Sequence, residues 1–267
     1  MNVALLSDLH CGSVVGLTHP HYQSMAHPSA RKHLRKAWRW VDDAFFHFTG
    51  KYGGIDAFLL GGDLVDGKQR KSGSCGLITA DMDTQKDMAE AALNSLGLYA
   101  NKDCKRAGVF GTDYHVSQDG SEAERCIYER CGFSTYGNRK HVVIDGFSID
   151  LRHKASKSSV PHGGMTPLAK SASWAMLHAE RTRTKKADMI VRGHIHEYMF
   201  FDHGTLGYAM SLPSLQLAGG SYGEKNCEGY CDFGVVFLRV EGGDLIDLPH
   251  RYIMPIQPTA VKPEVLR

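Results

Sequence analysis

The feature that most constrains this chain is a set of short apolar runs, each closing on residues that can carry chemistry. The first is Val3-Ala4-Leu5-Leu6, followed at once by Ser7-Asp8-Leu9-His10. Runs of this kind read as strands buried on both faces, which need a sheet covered on both sides. In an open α/β sheet, ligands bind outside the C-terminal ends of the strands. Asp-x-His alone is a weak signal. Its weight comes from later segments that repeat the arrangement.

A second run, Ile55-Asp56-Ala57-Phe58-Leu59-Leu60, ends on Gly61-Gly62-Asp63-Leu64-Val65-Asp66-Gly67. Paired glycines before an acid let the backbone pass close to a ligand without a clashing Cβ. A third strand over residues 107–110 ends on Gly111-Thr112-Asp113-Tyr114-His115. A hairpin turning at Asp145-Gly146 returns through residues 147–151 to Arg152-His153. A further buried strand over 187–191 ends on Arg192-Gly193-His194-Ile195-His196. Helical periodicity predicts helices over 29–50, 83–99, 122–130 and 166–183, with Ser29 as the first cap and Thr166-Pro167 opening the last. The segments 197–202, 206–212 and 233–240 read as antiparallel strands between glycine turns. There is no internal repeat or linker, so one domain over residues 1–267 is the economical reading.

Two other stretches carry polar chemistry. Residues 11–28, with His19, His21 and His27, are too long for a plain connection. They read as a solvated loop, with a lid or insertion beside the site as the alternative. The helix after them carries Arg31, Lys32, Arg35, Lys36 and Arg39. That stripe reads as a solvated face rather than a phosphate-tracking surface. The formal net charge is only +2, so any anion site must be local. No apolar stretch approaches a membrane span and no signal-peptide pattern opens the chain, so no membrane partner is expected. The seven cysteines are odd in number and irregularly spaced, which suits a reducing cytoplasm. Cys126-x4-Cys131 and Cys227-x3-Cys231 lack zinc-knuckle spacing and read as ordinary thiols.

Five strand ends thus deliver Asp8 and His10, Asp63, the 112–115 segment, His153, and His194 with His196. Carboxylates and neutral imidazoles are ligands that Mn²⁺, Fe²⁺ and Zn²⁺ accept. A cluster rich in both, without cysteine, fits two ions sharing a bridging carboxylate.

In order and spacing, Asp8-x-His10, Gly62-Asp63-x-x-Asp66, Gly111-Thr-Asp-Tyr-His115, His153 and Gly193-His194-x-His196 resemble the calcineurin-like metallophosphoesterases, small stand-alone members of phage type included. The resemblance spans residues 8–196. It implies an α/β fold, a four-layer α/β/β/α sandwich of two mixed sheets flanked by helices. It also implies a metal-dependent phosphoric ester hydrolase that works by attack of metal-bound hydroxide. Asp8, His10 and His196 would hold one metal, His153 and His194 the second, and Asp63 would bridge. Asp66 would orient a ligand, and His115 would assist the leaving group. Two divalent ions are implied, Mn²⁺ foremost, with Fe²⁺, Zn²⁺ or Ni²⁺ as alternatives. The family's Gly-Asn-His-Asp/Glu element is altered here, with Thr112 standing at the Asn position. Asp113 is the expected replacement ligand, because a hydroxyl is the poorer donor, with Thr112 itself as the alternative.

Lys68, Arg70 and Lys71 follow the bridging acid, and Arg152, Lys154 and Lys157 flank His153. Lys68, Arg70 and Arg152 are the expected substrate contacts. Cations on two rims suit a substrate with phosphates beyond the one cleaved, which favours phosphodiester hydrolysis on a nucleic acid or nucleotide. A phosphomonoesterase and a non-catalytic metal-binding module are the competing readings.

Overall fold

Alternation along the buried strands sets the architecture. The computed structural model describes residues 1–69, 73–113, 122–155, 158, 163–219 and 231–255. In β1 (Asn2–Leu6), Ala4 and Leu6 face one apolar cluster while Val3 and Leu5 face another. β2 (Ile55–Leu60) repeats this with Phe58 and Leu60 against Ala57 and Leu59. Each strand therefore separates two cores, as a doubly covered sheet requires.

The chain builds its sheets in sequence and then returns. β1, β2, β3 (Ala100–Val109) and β4 (Thr135–Gly137) are successive parallel neighbours. A second sheet follows from β5 (Lys140–Ile144), β6 (Phe147–Arg152), β7 (Met189–Arg192), β8 (Met199–His203) and β9 (Gly207–Ser211), in the order 5-6-7-9-8. β10 (Gly234–Glu241) then returns antiparallel to β1 and carries β11 (Asp244–Leu245) and β12 (His250–Ile253) on its far side. The inner faces enclose one core, with Val3, Leu5 and Leu59 meeting Ile149, Leu151, Val191 and Met210.

Helices close both outer faces. α1 (Pro28–Tyr52), α2 (Met82–Leu96) and α3 (Glu122–Arg130) cover the first sheet, where Phe48 stacks on Phe237 at 4.2 Å. α4 (Thr166–Thr182) covers the second, with Leu168 and Ala172 on Ile190 and Ala209. The result is four layers, helix, sheet, sheet, helix, with both sheets mixed.

Several boundaries differ from the sequence reading. β3 begins at Ala100 rather than 107, because its first half, Ala100-Asn-Lys-Asp-Cys-Lys-Arg106, is polar and mostly exposed and so carries no apolar signal, although it pairs with β2. β9 lies between β7 and β8, so it pairs parallel to β7 as well as antiparallel to β8. His27, not Ser29, caps α1, because Pro28 takes the first helical position and the His27 ring accepts the Ser29 N–H. No side chain caps α4. Residues 11–27 are not a solvated loop: Cys11, Val15, Leu17 and Thr18 are buried, and a 3₁₀ turn spans Pro20–Met25. His19 bonds Ser95 at 3.0 Å and packs edge-on to Trp38. Cys126 lies on α3 and Cys131 in the turn directly after it, Cys231 lies on a loop near Gln216, and Cys227 lies outside the described residues.

Candidate metal centre

Parallel pairing puts the first ligands side by side. Leu6 is in register with Leu60, so Asp8 and Asp63 leave β1 and β2 at the same sheet edge. The ladder continues past the strands through Asp8 N–H to Gly62 O (2.9 Å) and His10 N–H to Asp63 O (3.0 Å). β6 and β7 are likewise parallel, and Gly193 N–H donates to His153 O at 2.9 Å. Six side chains form two triads, Asp8 with His10 and His196, and Asp63 with His153 and His194. Within each triad the possible ligand atoms lie within 4.8 Å of one another.

Their backbone is strained. Five of the six, Asp8, His10, Asp63, His194 and His196, have φ between +46° and +75°. That region costs an L-residue roughly 1–2 kcal/mol. Strain of this kind persists only where the surroundings over-determine it, and it clusters at functional sites. The surroundings are tight: a Cβ on Gly62 (φ +92°) would meet Gly111 N at 2.7 Å, and one on Gly111 would meet Asp63 Oδ1 at 2.0 Å.

Hydrogen bonds aim the side chains. His10 Nδ1 lies 2.9 Å from Asp66 Oδ1, which leaves Nε2 on the Asp8 side. His153 Nδ1 donates to Gly61 O at 2.6 Å, fixing the ring. Its Nε2 is buried 3.2 Å from Asp63 Oδ2 but makes no aligned hydrogen bond. His194 N–H donates to Asp8 Oδ2 (3.1 Å), and His196 Nε2 lies 3.1 Å from Asp8 Oδ1. Ser7 Oγ also donates to Asp8.

The electrostatics show what the cluster lacks. Burial alone would raise the Asp8 carboxyl, but His196, His153 and His10 outweigh it and hold it far below the usual carboxylate range. Burial would likewise lower His153, yet Asp63 and Asp8 push it up to about 10. Burial, with His153 beside it, pulls His194 down and favours its neutral form. Fully buried carboxylates that draw a proton onto a neighbouring imidazole mark a site that calls for positive charge. A divalent ion supplies it, and the oxygen and nitrogen donor set, together with the orphaned His153 Nε2, fits one.

The remaining sequence candidates separate. Asp66 is buried where it can orient His10, and Gln69 donates to its other oxygen. At the altered element Thr112 contacts the cluster: its N–H donates to Asp63 Oδ1 at 2.6 Å, and its Oγ1 lies 3.2 Å from the same atom. Asp113 is exposed and belongs to neither triad, because the backbone turns into Thr112 at the cluster and carries the next residue outward. Arg152 is also displaced. Strand alternation puts it on the opposite face from Leu151 and the inter-sheet core, near Arg192. Lys68 is exposed on the loop after Asp63, and Lys154 on the loop after His153. Arg70, Lys71, His115 and Lys157 lie outside the described residues.

Sequence reasoning missed Glu124. Its fully buried carboxylate accepts Leu64 N–H at 2.8 Å and Gly111 N–H at 2.6 Å, pinning the loops after β2 and β3 together. Burial, with Asp63 nearby, pushes it up to about 7. The signal was an acid on the inward side of a short helix, readable only once the helix is docked.

No family model and no curated protein matches this chain. Among solved structures, an archaeal phosphodiesterase is similar over 95% of this chain and 100% of its own, at 13% identity and TM-score 0.46. A dimetal phosphatase from Danio rerio is similar over 90% and 93% of the two chains, at 11% identity and TM-score 0.48. Wild-type Vps29 from Entamoeba histolytica, complexed with zinc, is similar over 94% and 99%, at 14% identity and TM-score 0.44. At identities this low, the residues of the site itself carry the functional reading.

Proposed function

We propose that this chain is a calcineurin-like metallophosphoesterase, one hydrolase domain over residues 1–267 that cleaves phosphodiesters of a nucleic acid or nucleotide in the cytoplasm. The observation that carries the reading is the pair of triads, each with two buried members and one half-buried, five of whose six residues hold left-handed backbone geometry. Asp8, His10 and His196 would hold one divalent ion, and Asp63, His153 and His194 the other, with Asp63 serving both and Mn²⁺ the expected metal. Bound ions of this kind polarise phosphoryl oxygens and make water a nucleophile near neutral pH.

The chain's own residues supply the rest. Asp66 and the Gly61 carbonyl hold the His10 and His153 rings so that their Nε2 atoms face the triads. Thr112 and Glu124 fix Asp63 and the loops that bear it and Gly111. We assign the leaving-group proton to His115 and a phosphate contact to Lys68, which is exposed beyond Asp63. Rim cations, with no separate capping domain among the described residues, suit a diester better than a small monoester.

The test is hydrolysis of bis(p-nitrophenyl) phosphate against p-nitrophenyl phosphate with Mn²⁺, then of oligonucleotides and cyclic nucleotides. Faster diester cleavage that stops on chelation and returns with Mn²⁺ is expected. Faster monoester cleavage with no attack on any nucleotide substrate means a phosphatase. No hydrolysis of either ester means a binding module.

A further inference from the structure

A second charged feature lies outside the triads. Between Pro28 and Val41, α1 carries Arg31, Lys32, Arg35, Lys36 and Arg39 and no acid. This is the wrong end of a helix for cations, because the macrodipole favours negative charge there. Arg31, Arg35 and Arg39 are also spaced i, i+4, i+8, where like charges repel. Among the described residues no ion pair offsets this, and neither Arg35 nor Arg39 has a hydrogen-bonding partner. The acids that do pair with cations sit elsewhere.

The three arginines share one cavity. With Trp38, Gln23 and Ser24 they line a pocket of about 370 Å³ between α1 and the 3₁₀ turn. Arg31 is held by the carbonyls of Ala26 (2.8 Å) and Ser24 (2.7 Å), contacts that position the guanidinium without cancelling its charge. The turn is itself fixed, since Gln23 is buried and donates to Thr18 O at 2.9 Å. Arg35 and Arg39 are exposed and Arg31 is half-buried, so the three guanidiniums rim a hollow walled by the 3₁₀ turn and Trp38.

Topology sets the pocket on the metal-centre edge. α1 joins parallel strands β1 and β2, so it runs antiparallel to them and its N-terminal half lies toward their C-terminal ends. A helix of 25 residues is roughly 37 Å long. A strand of 6 residues is roughly 20 Å. The first turns of α1 therefore extend to or past the edge that bears Asp8 and Asp63. The pocket's other wall belongs to residues 11–27, which begin directly after His10.

We propose that Arg31, Arg35 and Arg39 form a secondary phosphate subsite for a single-stranded nucleic acid, gripping backbone phosphates several nucleotides from the bond held at the metal centre. The proposal rests on the phosphodiesterase reading for what lies at the other end of the strand. A single strand fits because it can bend from the edge onto the outer helix layer, and the +2 net charge gives no broad field for a duplex.

The test is binding of a short, fluorescently labelled, phosphorothioate-linked single strand, which keeps its charge and resists cleavage, over a salt series. Arg35→Ala/Arg39→Ala should raise Kd at least about tenfold and flatten the salt dependence by about 0.7 for each lost phosphate contact. Arg35→Lys/Arg39→Lys should retain most of the binding, and kcat/KM on bis(p-nitrophenyl) phosphate should stay within about twofold in both variants. Wild-type protein that does not bind the strand, or an alanine variant that binds it like wild type, overturns the subsite. Equal loss on the strand and on the small diester also overturns it, because the substitutions then act on the centre or the fold. Arginine-dependent binding in a protein that hydrolyses no diester leaves the subsite standing and removes the hydrolase reading.

Discussion

Two carboxylates, Asp8 just past the end of β1 and Asp150 within β6, are both closed off from solvent and are treated in opposite ways. Asp150 sits in the regular backbone of β6 and accepts Arg139 Nε at 2.6 Å and Arg192 Nη2 at 2.8 Å. Arg192 in turn satisfies Ser171 Oγ and the carbonyls of Asp150 and Val191. Asp8 stands at φ +54° and faces imidazoles and one hydroxyl, with no guanidinium or ammonium against it among the described residues. One cluster is relaxed and closed within the protein. The other is strained and sets imidazoles, His153 raised among them, where the first has guanidiniums. Removing one partner from a buried pair that is satisfied internally destabilises the fold, whereas buried charge left seeking a partner marks a ligand site.

Breaking each cluster should therefore move different quantities. The largest effect is expected for Asp63→Asn, which should reduce hydrolysis to background. Asparagine tolerates the left-handed backbone and keeps an oxygen for the Thr112 N–H. The metal-free variant should consequently melt at or above the wild-type temperature, as found where function is held at the expense of stability. A lower melting point would place Asp63 with the structural acids.

His115→Gln should lower kcat by about 10²–10⁴-fold with metal content unchanged, the signature of a proton donor. Loss of metal would make His115 a ligand instead. On the other side of the comparison, Asp150→Asn should cost about 3–5 kcal/mol in denaturant unfolding, because it strands a buried guanidinium. Activity per folded molecule should not change.

The same acid predicts an acid limb. Burial opposes the charged form of Asp150, but Arg139 and Arg192 outweigh it and lower its pKa. A lowered carboxylate contributes stability above its unfolded value, near pH 4, and loses it as pH falls through the folded one. Asp150→Asn should remove that part of the pH dependence, and an unchanged acid limb would mean the pair does not set it. The smallest effect is expected for Asp66→Asn, about 10–100-fold in metal affinity or activity, as for other residues that orient a ligand. An effect as large as that of Asp63→Asn would make Asp66 a ligand.

What the sequence could reveal follows the same division. Asp8, His10, Asp63, His153, His194 and His196 were legible because each follows an apolar strand within a few residues, so knowing the strand ends places the side chain. Asp113 and Arg152 stand apart from the triads because one residue of backbone direction decides which face a side chain takes, and adjacent polar residues give no sign of it. Thr112 proved to be the one against Asp63, and Arg152 joined the Arg192 side of its sheet. Glu124 and Arg139 act across 60 and 11 residues respectively, through contacts that exist only after the layers assemble. The polar half of β3 and the three residues of β4 carried no period to read.

The most direct measurement is a calorimetric titration of metal-stripped protein with Mn²⁺, run on wild type, Asp8→Asn, Asp63→Asn and Asp150→Asn. Two ions per wild-type chain are expected, with fewer or much weaker sites in the first two variants and the full number in Asp150→Asn. No binding by the wild type, or binding that survives loss of Asp8 and Asp63 intact, would contradict the claim that this cluster is built to hold metal.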